Sequence, residues 1–232
     1  MRTLAFFLTL FSICAAERRD LSGKVFTFPR VSATDYTTLT PDVEKILFSV
    51  TVCLRFFTDL SNSQTLFSLA TRSHADGFVL FRRSQGHYQL YLADTGVDFY
   101  GLPDKLIHWN SLCVTWDSST GLSQLWVNGE ASSRKALHPG GSIIGTPSII
   151  LGQDQDSYGG GFHTYDCFVG QLSDVHMWDR ILSPCEVMKY TDYMSFPPGN
   201  MLNWQNLEFS RQGYVVVEDN RAPTHMTCPG RD

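Results

Sequence analysis

Between positions 48 and 56 apolar and polar residues alternate, with Phe48, Val50, Val52, Leu54 and Phe56 on one side and Ser49, Thr51, Cys53 and Arg55 on the other. A period of two belongs to a strand, whose successive side chains point to opposite faces of a sheet. Similar short runs recur at 65–69, 78–81, 88–92, 112–116, 124–127, 148–151 and 175–178, separated by Gly, Asn, Asp, Ser and Pro. Asn128-Gly129 directly follows Leu125-Trp126-Val127, and that pair suits a type I′ hairpin because both central residues need positive φ. Many short strands at this spacing predict an all-β antiparallel sandwich of two sheets.

One segment breaks the pattern. At Ser183-Pro184-Cys185-Glu186 a serine can cap a helix, proline suits its first position, and the glutamate three residues after the cap can close a capping box. This predicts a single helix over 183–193, stopped by Pro197-Pro198-Gly199.

The N-terminus reads differently from the rest. Arg2 is followed by an apolar run from Leu4 to Ile13, then by Cys14 and Ala16 at the small-residue positions of a cleavage site. Residues 1–16 are therefore expected to be a secretory signal peptide, leaving 17–232 as one domain in an extracellular compartment. The run is about half the length of a membrane span, so membrane insertion is not expected. The chain has 18 Lys+Arg against 23 Asp+Glu, a formal charge of -5, and no long basic run. That balance argues against nucleic acid as the primary partner. Beyond the leader lie Cys53, Cys113, Cys167, Cys185 and Cys228, none in a C-x-x-C spacing. In an oxidising compartment cysteines pair, and an odd number leaves at least one over.

The densest set of oxygen ligands is Gln153-Asp154-Gln155-Asp156-Ser157-Tyr158 followed by three glycines, with His163 and Asp166 beyond. In an extended segment Asp154 and Asp156 face one way, and a hard cation such as calcium takes carboxylates, backbone carbonyls and water without needing one contiguous loop. A polar surface turn is the plainer alternative, because Asp and Gly are ordinary turn residues. No nucleophile elbow, phosphate-binding loop, dinucleotide fingerprint or zinc-protease motif is present. A glycoside hydrolase using Asp154 and Asp156 is the enzyme reading to set against this. Against it stands the expectation of a solvated glycine-rich loop with nothing to hold one carboxyl protonated.

The segment Ser111-Leu112-Cys113-Val114-Thr115-Trp116-Asp117-Ser118 resembles the pentraxin signature His-x-Cys-x-Ser/Thr-Trp-x-Ser/Thr, lacking only the leading histidine. The likeness runs from about Gly23 to Trp204 and includes Val25-Phe26-Thr27-Phe28-Pro29, Ile149-Ile150-Leu151-Gly152-Gln153, Met177-Trp178-Asp179 and Leu202-Asn203-Trp204. The chain is similar to short pentraxins, which have no long N-terminal extension. The resemblance implies a lectin-like (laminin-G-like) jelly roll with one helix, not an enzyme, assembled as a homopentamer. One face would bind calcium together with phosphate monoesters, such as phosphocholine or phosphoethanolamine, or with anionic glycans. The face bearing the helix would meet complement and immunoglobulin-receptor effectors, in an acute-phase, innate immune role on microbial or damaged-cell surfaces.

Carried over residue by residue, the resemblance implies a disulfide between Cys53 and Cys113. Cys185 and Cys228 are extra and are expected to pair and pin the tail. Cys167 is left as a buried thiol on the strand leading to Val169, or as an interchain bridge. The implied calcium ligands are Asp76, Asp154, the Gln155 backbone carbonyl, Asp156 and Asp166. The position before Asp76, an acid in the family, is Ala75, and His163 stands where the family has a glutamate. Imidazole suits a hard ion poorly, so one calcium is expected to bind well and a second weakly or not at all. Phe81 falls on the apolar floor of the ligand pocket. Tyr91 falls where one branch of the family has a small threonine, and Gly96 where that branch has a glutamate facing an ammonium group. Phe81 and Tyr91 can also be strand residues packing on each other. The competing binding class is a calcium-independent, laminin-G-like module for protein partners.

Overall fold

The computed structural model describes residues 18–221, so the expected leader and Cys228 lie outside the described residues. The sandwich has two sheets, every pairing within them antiparallel. In chain order the first strands are β1 (Arg18–Arg19), β2 (Lys24–Phe28), β3 (Tyr36–Thr40), β4 (Ser49–Phe57), β5 (Gln64–Ala70), β6 (Phe78–Ser84), β7 (His87–Leu92) and β8 (Thr95–Tyr100). They are followed by β9 (Asn110–Asp117), β10 (Leu122–Val127), β11 (Glu130–Ala131), β12 (Lys135–Ala136), β13 (Ser148–Leu151), β14 (Gly170–Trp178), β15 (Leu207–Gln212) and β16 (Val216–Asp219). One sheet, here the loop-side sheet, runs β1-β15-β3-β13-β5-β6-β7-β8. The other, the helix-side sheet, runs β11-β10-β9-β4-β14-β2-β16, with β12 also on β10.

The alternation read from the sequence is the alternation of the sandwich. Val50, Val52, Leu54 and Phe56 of β4 enter the core between the sheets. Thr51, Cys53 and Arg55 point the other way, covered by α1 (Pro184–Thr191) and, at Thr51, by the segment that leads into it. Phe48 lies one residue before β4 and is 60% exposed, while the preceding Leu47, bridged to Ile143, takes the place in the core. Asn128 and Gly129 have φ of 51° and 85° and join β10 to β11, as the hairpin reading required.

The capping box is present, with Ser183 accepting from the Glu186 N–H and the Glu186 carboxylate accepting from the Ser183 backbone. The helix ends at Thr191, two residues before the predicted end, and Arg55 donates to the Tyr190 and Thr191 carbonyls there. Beneath α1, Cys53 and Cys113 are bonded directly across β4 and β9. They pack with Trp126, Trp178, Leu182, Val187 and Tyr190. Cys167 is buried, its thiol donating to the Thr164 carbonyl at 3.2 Å, in the loop before β14 rather than on the strand. Cys185 is exposed at the helix start.

Candidate functional site

The long loop from Gly152 to Val169 folds over the outer face of the loop-side sheet, on the opposite side of the sandwich from α1. Its entry depends on a glycine, because Gly152 has φ of 92° and a Cβ there would lie 2.3 Å from the Phe28 ring. Gln153 and Gln155 then turn inward. Gln153 Nε2 donates to the Ser32 and Asp35 carbonyls, and Gln155 Nε2 donates to the Ser68 and Ser148 carbonyls. Gln155 Oε1 accepts from the Gly159 N–H at 3.0 Å. With its side chain occupied in this way, only the backbone carbonyl of Gln155 is left as a candidate ligand. Asp154 and Asp156 flank Gln155, close enough for the charge of Asp156 to act on the Asp154 carboxyl.

A second turn meets this loop. Between β5 and β6, Asp76 is held by its own N–H donating to Asp94 Oδ1 at 3.0 Å, and its carbonyl accepts from the Asp94 N–H at 3.1 Å. Arg72 of the same turn stands 4.8 Å from the centre of the Tyr158 ring. The acidic groups act on one another across the gap. Burial first, then the charges of Asp76, Asp156 and Asp166, push the Asp154 carboxyl up to about 7. Burial, Asp94 and Asp156 push Asp76 up to about 6. The expectation of a solvated loop with no perturbed carboxyl is therefore wrong for Asp154, because the inward-facing glutamines draw the loop down onto the sheet.

Asp154 Oδ1 is buried without a hydrogen-bond partner. A buried unpaired oxygen is costly, and a hard cation would satisfy it. The donors around it, Asp76, Asp154, the Gln155 carbonyl and Asp156, are oxygens of the kind calcium takes, so these residues fit the ion. Among the described residues no three His, Cys, Asp or Glu side chains are already gathered at metal-binding distance. Two of the acids have cationic or imidazole neighbours: Asp166 accepts from Arg83 Nη1 at 3.2 Å, and His163 Nε2 lies 3.3 Å from Asp156 Oδ2. His163 is also stacked on Tyr165, with ring centres 5.1 Å apart.

Beside the acids, Phe81 of β6 and Tyr91 of β7 meet edge to face at 5.8 Å. Phe81 is only 2% exposed, and the Arg83 guanidinium lies over its ring at 3.7 Å. Tyr91 stands opposite Gly96 of β8, and a Cβ on Gly96 would lie 2.8 Å from the Tyr91 ring. Sequence reasoning missed Arg83. Its signal was the strand period itself, which puts positions 81 and 83 on one face.

Residues 24–219 match the model of the Pentaxin family. Serum amyloid P-component of Sus scrofa is 41% identical over 206 residues, 88% of this chain and 91% of that protein. The Homo sapiens protein of that name is 38% identical over 205 residues, again 88% of this chain and 91% of the relative. Among solved structures, the native heptameric SAP-like pentraxin from Limulus polyphemus superposes with a TM-score of 0.79 at 22% identity, over 87% of this chain and 97% of that one. A putative carbohydrate binding protein from Bacteroides ovatus gives a TM-score of 0.61 at 14% identity, over 87% of this chain and 61% of that one. At these identities the structural likeness is one of fold.

Proposed function

Because the chain belongs to the Pentaxin family, we propose that it is a secreted, calcium-dependent recognition protein that binds phosphate monoesters and anionic glycans on microbial or damaged-cell surfaces. The observation that carries this reading is the unpartnered, buried Asp154 Oδ1, surrounded by the charges of Asp76, Asp156 and Asp166 on the face opposite α1. Asp76, Asp154, the Gln155 carbonyl and Asp156 would hold the ion, which when bound supplies positive charge and open coordination positions for an anionic oxygen. The buried glutamines position the two loop carboxylates, and Asp94 positions Asp76. Asp166 already has a cationic partner in Arg83, so a second calcium there would have to displace a guanidinium. This supports one strong calcium site per chain.

The helix-bearing face would serve effectors of complement or immunoglobulin-receptor type. Assembly into a ring, a homopentamer by the family's pattern, would place several weak sites on one face and give avidity on repetitive surfaces. The chain would bind its ligands without transforming them. The raised Asp154 carboxyl beside Asp156 is the one observation that favours a glycoside hydrolase instead. The deciding experiment passes the purified oligomer over phosphate-ester and acidic-sugar resins in calcium and then in chelator. Retention in calcium with release by chelator is expected. Binding unchanged in chelator would point to the calcium-independent laminin-G-like module, and hydrolysis of the glycan would revive the enzyme.

A further inference from the structure

Arg83 joins the aromatic half of the candidate site to its acidic half. Phe81 and Arg83 are two apart on β6 and share its outer face, with Gln89 of β7 opposite Phe81. Arg83 sits where the β6–β7 register shifts, and its guanidinium is held by several side-chain contacts. Its Nε donates to Gln89 Oε1 at 2.7 Å, and its Nη1 donates to Ser63 Oγ at 3.0 Å and to Asp166 Oδ1 at 3.2 Å. Its plane covers Phe81 at 3.7 Å. Among the described residues Nη2 has no hydrogen-bond partner, and the side chain is 26% exposed.

Two consequences follow for a bound molecule. An ammonium group gains from an aromatic ring only by lying on its face, and here a cation already lies on Phe81 while Tyr91 meets it edge on. A guanidinium also stays charged at any physiological pH and presents a planar fork of donors suited to carboxylate and phosphate oxygens. A zwitterion with its phosphate on the metal and its ammonium over Phe81 would bring two positive charges together. An anion with hydroxyl or acidic oxygens in its tail would instead meet donors.

We propose that Arg83 is a specificity-determining residue of this site, selecting ligands whose anionic head is followed by a hydroxylated or acidic tail and rejecting those that carry an ammonium group. The chemical class is that of polyol and sugar phosphates, with zwitterionic phosphocholine and phosphoethanolamine disfavoured. This rests on the calcium-dependent reading above and narrows its ligand.

The test measures binding of the native oligomer to surfaces bearing glycerol phosphate, phosphoethanolamine or phosphocholine, in calcium and in chelator, beside the variants Arg83→Gln and Arg83→Lys. The native protein should prefer glycerol phosphate over phosphocholine by about tenfold, the scale of one charge-assisted hydrogen bond. Arg83→Gln should lose most of that preference while still requiring calcium. Arg83→Lys keeps the positive charge and should still discriminate against phosphocholine, which settles the matter if the glutamine disturbs the fold. Equal binding of the three surfaces by the native protein would overturn the inference, as would an unchanged preference in Arg83→Gln or lost discrimination in Arg83→Lys, and each would leave calcium dependence standing. If no surface binds in calcium, both the inference and the calcium-dependent reading fail.

Discussion

Tyr91 and Gly96 behave as one unit. They face each other across β7 and β8, and the ring occupies the space a side chain at 96 would need. A glutamate there, as the resemblance gives for one branch of the family, would require this tyrosine ring to shift. The backbone at Gly96 does not require glycine, since its φ is not positive, so any cost of a substitution comes from packing. Gly96→Ala should destabilise the fold by about 1–3 kcal/mol, the range for overpacking, measured by urea unfolding. In the Tyr91→Ala background the same change should cost much less. A double-mutant cycle with no coupling would show that the ring moves aside freely. Asp154 makes the same point for charge, because burial first, and then the charges of Asp76, Asp156 and Asp166, push its carboxyl up to about 7.

At the scale of elements, α1 is set by local chemistry. Arg180 first, then the Ser183 N–H and hydroxyl, hold the Glu186 carboxyl down to about 2, with burial opposing. A carboxyl whose folded pKa lies below its unfolded value contributes stability above the unfolded value and loses it on acidification. The contribution of Glu186 should therefore be complete above about pH 4.5 and fade toward pH 2. Glu186→Gln should flatten stability against pH in that window, and thermal unfolding at pH 5 and pH 3 checks it. Removing the cap by Ser183→Ala should cost about 1 kcal/mol. The loop from Gly152 to Val169 should respond to metal instead. Repulsion among its carboxylates favours opening in chelator, so calcium should slow proteolysis around 157–161, read by timed digestion. Equal rates with and without chelator would count against an ion-ordered loop.

At the scale of the whole molecule, the sandwich separates two working faces. The outer side of one sheet carries the acidic loops and Arg83; the outer side of the other carries α1 and the disulfide. The bond between Cys53 and Cys113 spans 60 residues of sequence, from β4 to β9. A loop of that length is worth about 4 kcal/mol in the chain-entropy account. Cys53→Ala with Cys113→Ala should lower unfolding stability by about that amount. It should loosen the seat of α1 before it affects calcium binding, because both sulfurs lie beneath the helix and the candidate site lies on the other face. Circular dichroism and calorimetric calcium titration on the same sample would separate the two effects.

Wherever the cause lay within a few residues, the chain alone was enough. The alternation along β4, the Asn128-Gly129 hairpin and the capping box at Ser183 each follow from one strand or one helical turn. The resemblance supplied the Cys53–Cys113 pairing, which strand register then explains. Several strands, among them β3, β8 and β15, were not legible as runs because they are only half buried and carry polar residues toward solvent. The tertiary structure decided what depends on distant segments meeting: the order of strands, the burial of Asp154 and the seating of Arg83 over Phe81 beside Asp166. Burial and charge act through space, and positions 83 and 166 become neighbours only when the loop before β14 folds back across β5 and β6.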